Sequence, residues 1–198
     1  MPDHYFTQAP SSKQKPAELR VDIGGRAFVF TVDAGVFSRA GLDEGSRLLI
    51  ETAGCLNGQC LDLGCGWGAV GIALAAFNPE ARFMLSDINR RATDLARINI
   101  ERNNIVNARV IESDGFDALA GVFDHIFSNP PIRAGKKMIY GLFDAAHKRL
   151  LPGGALVIVI RRQQGAESAL KHLSALFGNA RVKARDKGYW VIESYKGA

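Results

Sequence analysis

The chain has 198 residues, of which 47% are hydrophobic and 23% are charged, and these ordinary globular proportions exclude a disordered or a fibrous protein. The length predicts a single domain, and the lack of both an apolar run of about 20 residues and a signal peptide predicts a cytoplasmic protein with no membrane partner. The formal net charge of +5 favours an anionic partner but does not identify it.

The N-terminal part of the chain is polar up to residue 17. Residues 1–17 contain too few apolar residues to pack, and we expect a flexible N-terminal arm. Two stretches of alternating polarity then flank Gly24-Gly25, and glycine supplies the positive φ angles of a two-residue hairpin turn. The pattern predicts an N-terminal β-hairpin extension over residues 18–45, at the start of a single domain that covers residues 18–198.

From about residue 59 onward, short apolar runs alternate with segments of helical periodicity. The apolar runs are 59–63, 81–86, 107–111, 122–127 and 154–160, and the helical segments are 69–77, 90–103, 136–150 and 165–177. This alternation predicts a parallel sheet with helices on both faces. Two further stretches, 180–185 and 189–194, predict an antiparallel hairpin at the edge of the sheet. The predicted fold is a Rossmann-like three-layer α/β sandwich with a seven-stranded, mainly parallel sheet.

A glycine-rich loop at residues 62–68 follows the first predicted strand of this sheet. It contains Gly64, Gly66 and Gly68 and precedes a helical run. Glycine lets the backbone turn sharply and approach a ligand closely, and the start of the helix offers free N–H groups. The loop therefore predicts a nucleotide-like cofactor. By itself it also satisfies the dinucleotide fingerprint, so S-adenosylmethionine (SAM) and a dinucleotide both stay open.

Asp62, two residues before the first glycine, favours SAM. A carboxylate would repel a pyrophosphate, whereas SAM has no phosphate and carries a cationic ammonium and sulfonium. Asp87 ends the next strand, with Ile88 beside it, and is expected to accept both ribose hydroxyls. Asp114 follows the third strand, with Gly115 beside it, and is expected to accept from the adenine amino group. Such folds bind ligands at the carboxyl ends of successive strands, so we predict that these residues bind SAM.

The three cysteines, Cys55, Cys60 and Cys65, favour neither a disulfide framework nor a metal site. Their number is odd, their spacing is not Cys-x-x-Cys, and no pair of histidines lies nearby to complete a zinc site. We expect the protein to bind no metal.

A stiff polar turn, Ser128-Asn129-Pro130-Pro131, follows the fourth strand at the same edge of the predicted sheet. Consecutive prolines fix φ and leave carbonyl groups as acceptors, and Asn129 adds a side-chain oxygen. An amine conjugated to a base is a poor nucleophile, because its lone pair is delocalised into the ring. The Asn129 oxygen and the Pro130 carbonyl can hold its two hydrogens and aim the lone pair at the SAM methyl group. We predict that Asn129, Pro130 and Pro131 form a catalytic turn and that Asn129 also borders the cofactor.

With both motifs in place, the chain resembles the ribosomal RNA small-subunit methyltransferase C family, the guanine 2-amino methyltransferases, in a short single-domain form. The resemblance rests on Gly-Val-Phe-Ser at 35–38, Asp-Glu-Gly-Ser-Arg-Leu-Leu at 43–49, the glycine loop, and the catalytic turn through Lys136. It extends over nearly the whole chain. It implies SAM as the cofactor and a guanine of small-subunit ribosomal RNA, free or in the assembled subunit, as the substrate.

The residue after the catalytic turn is Ile132, where many amino-methyltransferases have an aromatic residue that stacks on the target base. Ile132 can pack on a base but has no π face, and Phe37 is our candidate substitute. For the RNA phosphates we expect charge-assisted contacts from basic residues beside the turn, after the fifth strand and in the arm. These residues are Arg133, Lys136, Lys137, Arg161, Arg162, Lys13 and Lys15.

Two other functions stay open on the sequence alone. Related Asn-Pro-Pro turns serve the methylation of a protein glutamine amide or an adenine amino group, although those enzymes more often have an aromatic residue at the position of Ile132. The other function is that of a non-catalytic RNA-binding module with a vestigial cofactor pocket. The intact Asp62, Asp87 and Asn129 argue against it.

Overall fold

The computed structural model describes residues 15–33, 36 and 41–197, and for Arg133 it describes the backbone alone. Phe37 and Lys13 lie outside the described residues. In chain order the elements are β1 (Ala17–Ile23), β2 (Arg26–Val32), α1 (Glu44–Thr52), β3 (Gln59–Leu63), α2 (Ala69–Phe77), β4 (Arg82–Asp87), α3 (Arg90–Arg102), β5 (Ala108–Glu112), β6 (Phe123–Ser128), α4 (Lys136–Arg149), β7 (Leu150–Arg161), α5 (Ala166–Phe177), β8 (Arg181–Asp186) and β9 (Tyr189–Tyr195). Short 3-10 turns precede α4 and α5, at Ile132–Ala134 and Arg162–Gln164.

Strands β3 to β9 form a seven-stranded sheet in the order β5-β4-β3-β6-β7-β9-β8. The pairs from β5 across to β7 are parallel, whereas β9 pairs antiparallel with both β7 and β8. The strand order reverses between β3 and β6, and open sheets of this kind bind ligands at such a switch point. The predicted Rossmann-like fold, with its antiparallel end hairpin and its separate N-terminal hairpin, is confirmed.

Helices cover both faces of the sheet, and each face has its own hydrophobic core. The N-terminal hairpin and α1, α2 and α3 pack on one face, and α4 and α5 pack on the other. Neighbouring residues of the central strands alternate between the cores: Leu61 and Ile126 face α4 and α5, and Cys60 and Phe127 face the opposite side. Burial on both faces explains the near-continuous apolar runs of these strands. None of the described helices is long and apolar enough to cross a membrane.

The N-terminal hairpin docks on α3 through two asparagines that lie one turn apart. Asn99 accepts from the Thr31 amide at 2.6 Å and donates to the Thr31 carbonyl at 3.0 Å. Asn103 makes the same two bonds to Val29, at 3.0 and 2.9 Å. The two side-chain amides thus form the same pairs of hydrogen bonds with the backbone of β2 that a neighbouring strand would form. Asn99 also donates to the carbonyl of Trp67 at 2.8 Å, which ties the hairpin to the glycine loop.

Helix α1 was not predicted from the sequence. It has nine residues, and its buried apolar residues Leu48, Leu49 and Ile50 are consecutive, so no helical repeat is long enough to identify it. Asp43 caps its N-terminus by accepting from the Ser46 amide at 3.1 Å. The helix packs against β7, β9 and α2. This packing places its first turn at the carboxyl edge of the sheet.

Candidate active site

A cavity of about 710 Å³ extends along the carboxyl edge of the sheet. Its walls come from the ends of the parallel strands β3 to β7 and from the first turn of α1, and its volume is typical of small-molecule sites, which span roughly 300–1,000 Å³. The predicted site residues that line it are Asp62, Gly64, Gly66, Asp87, Ile88, Asp114, Gly115, Asn129, Pro130, Pro131, Ile132 and Arg161. The fold therefore brings to one place residues that the sequence motifs marked separately.

Gly64 and Gly66 form the part of the wall next to α2. Their φ angles, +74° and +56°, lie in the left-handed region that favours glycine, and the space where a Cβ would stand is open. The amides of Gly64 and Cys65 donate to the Ser86 carbonyl at 2.8 and 2.9 Å, which ties the loop to β4. The loop thus offers a ligand a bare backbone with room for close approach.

Gly68, the third glycine of the loop, has a different place. It caps α2 with a φ of +93° and is not among the residues that line the cavity. A Cβ on Gly68 would lie 2.8 Å from Ile72 Cδ1 and 3.3 Å from the Cβ of Ala96. Gly68 therefore serves the close packing of α2 on α3, and the cavity does not support its predicted contact with the cofactor.

Asp62 is a buried carboxylate at the cavity wall, with 3% of its surface exposed. Its Oδ2 accepts from the amide of Gly71 in α2 at 2.8 Å. Burial raises the pKa of Asp62 to about 7, the bond from Gly71 opposes this shift, and the charge of Asp87 adds to it. A carboxylate that is costly to ionise favours a cationic ligand, because the cation offsets that cost.

Asp87 links the glycine loop to the start of α3 through its two carboxylate oxygens. Its Oδ2 accepts from the Gly66 amide at 2.8 Å, and its Oδ1 accepts from the Asn89 amide at 2.9 Å. Burial raises the pKa of Asp87 in spite of these hydrogen bonds. A carboxylate offers about four acceptor sites, and backbone amides including that of Ile88 use three of them, so Asp87 keeps capacity for a ligand hydroxyl. This geometry supports the predicted ribose contact, and Ile88 lines the cavity beside it.

Asp114 and Gly115 border the cavity just after β5. The hydroxyl of Ser113 fixes this turn by donating to the Gly115 carbonyl and accepting from the Ala118 amide, both at 3.1 Å. Ser113, and not Asp114, therefore caps this turn with its side chain. The Asp114 carboxylate is exposed, and its contact with the adenine amino group stays a prediction.

The side chain of Asn129 is held by the first turn of α1. Its Nδ2 donates to Asp43 Oδ1 at 3.2 Å and to Ser46 Oγ at 3.1 Å. All three residues line the cavity, together with Pro130 and Pro131. Asp43 and Ser46 were not predicted as site residues, although both lie in the Asp-Glu-Gly-Ser run that carried the family resemblance. That run was the signal for them in the sequence.

Tyr189 and Gln164 also line the cavity and were not predicted. Tyr189 begins β9 and stands opposite Arg161 of β7 in the antiparallel ladder. The guanidinium carbon of Arg161 lies 5.3 Å from the centre of the Tyr189 ring, a cation–π distance. No local pattern marks Tyr189, because only strand pairing brings it to the cavity.

One of the predicted RNA-contacting residues, Arg161, lines the cavity, and Lys136, Lys137 and Arg162 lie within two residues of lining residues in the chain. Lys136 and Lys137 are exposed at the start of α4, and Lys136 Cε lies 3.9 Å from the position that a Cβ of Gly165 would occupy. The segments before α4 and before α5 therefore meet. Arg162, in the second segment, is exposed and pairs with Glu167 at 3.3 Å. Lys15 is exposed, and its backbone amide donates to the Asp33 carboxylate.

The cysteines form no disulfide: Cys55 is exposed, and Cys60 and Cys65 are buried. Burial raises the pKa of Cys60 to about 12, with a further contribution from Asp124, so this thiol stays protonated. In the part of the chain that the structure describes, no group of three or more His, Cys, Asp or Glu side chains could hold a metal ion.

The family model of the methyltransferase small domain matches residues 27–193. YbxB of Bacillus subtilis, whose function is uncharacterized, is 38% identical over 99% of this chain and 100% of its own length. The ribosomal RNA small subunit methyltransferase C of Yersinia enterocolitica is 36% identical over 82% of this chain and 47% of its own length.

Among solved structures, the T. thermophilus 16S rRNA N2 G1207 methyltransferase (RsmC), in complex with AdoMet and guanosine, is similar to this chain with a TM-score of 0.83. The two are 26% identical, over 94% of this chain and 52% of that one. The chain spans about half the length of these methyltransferase C relatives and the full length of YbxB.

Proposed function

This chain belongs to the methyltransferase small domain family, and from that premise we propose that it transfers a methyl group from SAM to the 2-amino group of a guanine in small-subunit ribosomal RNA. It is a SAM-dependent methyltransferase of the methyltransferase C type. One observation carries the transfer to an amino group: the Asn129 turn lines the same cavity as Asp62 and Asp87. The choice of guanine is supported by the similarity to the T. thermophilus 16S rRNA N2 G1207 methyltransferase.

The residues of the cavity fit SAM. The buried Asp62 carboxylate suits a ligand with two cationic groups and no phosphate. Gly64 and Gly66 leave open the space that side chains would fill. Asp87 keeps acceptor capacity beyond its bonds to backbone amides, which suits a ribose hydroxyl. When bound, SAM supplies an activated methyl group on its sulfonium.

Asn129 and Pro130 are proposed to orient the methyl acceptor. An exocyclic amine of a base has two hydrogens and a delocalised lone pair. The Asn129 side-chain oxygen and the Pro130 carbonyl each accept one of these hydrogens, which turns the lone pair towards the cofactor side of the cavity. Both acceptors also stabilise the positive charge that develops on the nitrogen. Pro131 keeps the turn rigid, because its ring fixes φ.

A ribosomal substrate is supported by the charge of the protein and by its relatives. The net charge is +5, and Arg161, Lys136 and Lys137 lie at or beside the cavity, where phosphates of a bound RNA would pass. The T. thermophilus relative is named as a 16S rRNA N2 methyltransferase in complex with guanosine. We propose ribosomal RNA, free or in the small subunit, as the partner, which requires a cytoplasmic protein.

Mass spectrometry of nucleosides from small-subunit ribosomal RNA tests the proposal. Deletion of the gene should remove a 2-methylguanosine, and the wild-type gene should restore it whereas the Asn129→Ala gene should not. Small subunits from the deletion strain should also accept a labelled methyl group from SAM in the presence of the purified protein. Loss of a methylated adenine or of a methylated protein glutamine instead would show that the acceptor is wrong.

A further inference from the structure

We propose that Asp43 and Ser46 are positioning residues that determine which end of the Asn129 amide meets the methyl acceptor. This inference rests on the proposed function, because it assigns Asn129 the task of accepting a hydrogen from the target amine. It adds the first turn of α1 to the reaction machinery, although neither residue needs to contact the substrate.

The amide of Asn129 has two ends of similar size and opposite hydrogen-bonding character. Nδ2 carries two hydrogens and only donates, whereas Oδ1 only accepts. The target amine presents hydrogens, so only the oxygen end can hold it. The terminal torsion of asparagine is broad and roughly two-fold, so the rigid Asn-Pro-Pro backbone cannot by itself select the correct end.

The contacts with α1 make that selection. Nδ2 lies 3.2 Å from Asp43 Oδ1 and 3.1 Å from Ser46 Oγ, so both of its hydrogens are used. A reversed amide would place Oδ1 against the Asp43 carboxylate, where two acceptors would face each other and a hydrogen bond would be lost. The lost bond is the one to Asp43, because the Ser46 hydroxyl can donate to an oxygen as well as accept from an N–H. Asp43 therefore selects the end of the amide, and the buried Ser46, only 6% exposed, holds the amide against α1. The oxygen of Asn129 is therefore the end left for the cavity.

The two positioning residues are themselves held by the helix. Asp43 Oδ1 accepts from the Ser46 amide at 3.1 Å, so the same oxygen caps α1 and binds Asn129. The buried side chains of Leu49 and Ile50 anchor α1 in the core between the helices and the sheet. Correct orientation of the Asn129 amide thus depends on the packed position of α1, about 80 residues earlier in the chain.

The first experiment compares the full-length wild-type protein with the double variant Asp43→Asn/Ser46→Ala. Asparagine is as good an N-cap as aspartate, so α1 keeps its cap, but its amide can donate as well as accept and no longer forces one orientation on Asn129. We expect kcat for methyl transfer to fall about 10-fold or more. The Kd for SAM and the midpoint of thermal unfolding should stay at their wild-type values.

Thr52→Ala is the matched control at the other end of the helix. Thr52 Oγ1 donates to the Leu48 carbonyl at 2.6 Å, so this variant perturbs α1 without touching Asn129. It should keep the wild-type kcat. A kcat loss of the same size in Thr52→Ala would overturn the inference, because it would show that α1 matters only as a structural support. An unchanged kcat in the double variant would overturn it as well.

A second measurement needs no methyl acceptor. The side-chain amide signals of Asn129 in an ¹⁵N NMR spectrum, assigned by their loss in Asn129→Ala, report on both Nδ2 hydrogens. They should exchange slowly with solvent in the wild type and faster in the double variant, and equal exchange rates would contradict the inference. Failure of the proposed function is recognised separately, as a wild-type protein that leaves guanine in small-subunit RNA unmethylated.

Discussion

The ring of Tyr189 lies so close to the backbone of Gly45 that a Cβ on Gly45 would stand 2.8 Å from Tyr189 Cδ1. Gly45 is the second residue of α1, and glycine is a poorer helix former than alanine. The close contact gives a packing reason for this glycine. The ring of Tyr189 thus forms an aromatic wall of the cavity beside Asp43 and Ser46. Ile132, the residue after the catalytic turn, also lines the cavity but has no π face.

We expect Tyr189→Leu to weaken binding of the acceptor RNA by about 1–3 kcal/mol, the usual worth of one base–aromatic stacking contact. Tyr189→Phe keeps the ring and should bind RNA like the wild type, and neither change should alter SAM affinity. Gly45→Ala should weaken RNA binding as well, since it displaces the ring. The measurement is RNA affinity at fixed salt, and equal affinities of the leucine and phenylalanine variants would show that the ring does not contact the base.

Asn129→Ala should abolish most methyl transfer while SAM still binds. The change removes one acceptor at the reacting centre, and the expected loss in turnover is about 100-fold or more. Asn129→Asp should also be slow, because a second carboxylate would stand about 3 Å from Asp43 Oδ1, at the present place of Nδ2. Single-turnover kinetics with saturating SAM measure both effects. Near-normal turnover of Asn129→Ala would mean that the turn is only a scaffold.

The affinity for SAM should increase as the pH rises through 7. The pKa of Asp62 is about 7 in the free protein, so its carboxyl group is neutral below that pH and charged above it. A cation binds the charged form, so binding near neutral pH releases a proton, and the affinity should change by up to about tenfold per pH unit below the pKa. Calorimetric titration in buffers of different ionisation enthalpy measures the proton release.

Asp62→Asn is the control for this pH dependence. It keeps an acceptor for the Gly71 amide at 2.8 Å but cannot ionise, so SAM affinity should be low and flat with pH. The raised pKa means that the folded protein binds more protons than the unfolded chain at mildly acidic pH. Stability of the free wild-type protein should therefore fall as the pH rises from the ordinary aspartate value of 3.8 to about 7 and level off above 7, and this contribution should vanish in the variant. A wild-type SAM affinity that is independent of pH would contradict the role of the charge.

RNA binding should weaken log-linearly with salt, and Lys136→Ala/Lys137→Ala should reduce the slope by about one to two. The matched control is Lys148→Ala, an exposed lysine at the far end of α4, roughly 18 Å along the helix. It should leave the slope unchanged. Filter-binding titrations at several salt concentrations distinguish the two variants, and identical slopes would assign Lys136 and Lys137 to ordinary surface charge.

Substitutions of the two asparagines of α3 should distinguish an effect on stability from an effect on cofactor binding. Asn99→Ala leaves the Thr31 backbone and the Trp67 carbonyl without their partner, and we expect a loss of about 1–3 kcal/mol in the free energy of unfolding, with weaker SAM binding. Asn103→Ala also loosens β2 but has no bond to the glycine loop, so it should lower stability and keep SAM affinity. Denaturant unfolding and SAM titration check the pair. Equal SAM affinities would show that the hairpin is not coupled to the loop.

The sheet, the cofactor class and the family could be predicted from the chain alone, because their signals are local. Strands β3 and β6 are buried on both faces and therefore appear as apolar runs in the chain. The loop glycines Gly64 and Gly66 are required by their own φ angles, and Asn129 is marked by the two prolines that follow it. Each of these features depends on a few consecutive residues, so no knowledge of distant contacts was needed.

The contacts between these parts could be seen only in the folded protein. Asn129 meets Asp43 across 86 positions of sequence, and Tyr189 reaches Gly45 through the pairing of β9 with β7. Gly68 shows the opposite case, since the motif suggests a ligand contact but the fold uses this glycine to pack α2 on α3. Such contacts depend on the order of the strands in the sheet and on the packed position of the short helix α1. Both result from the packing of the whole core, so no local stretch of sequence records them.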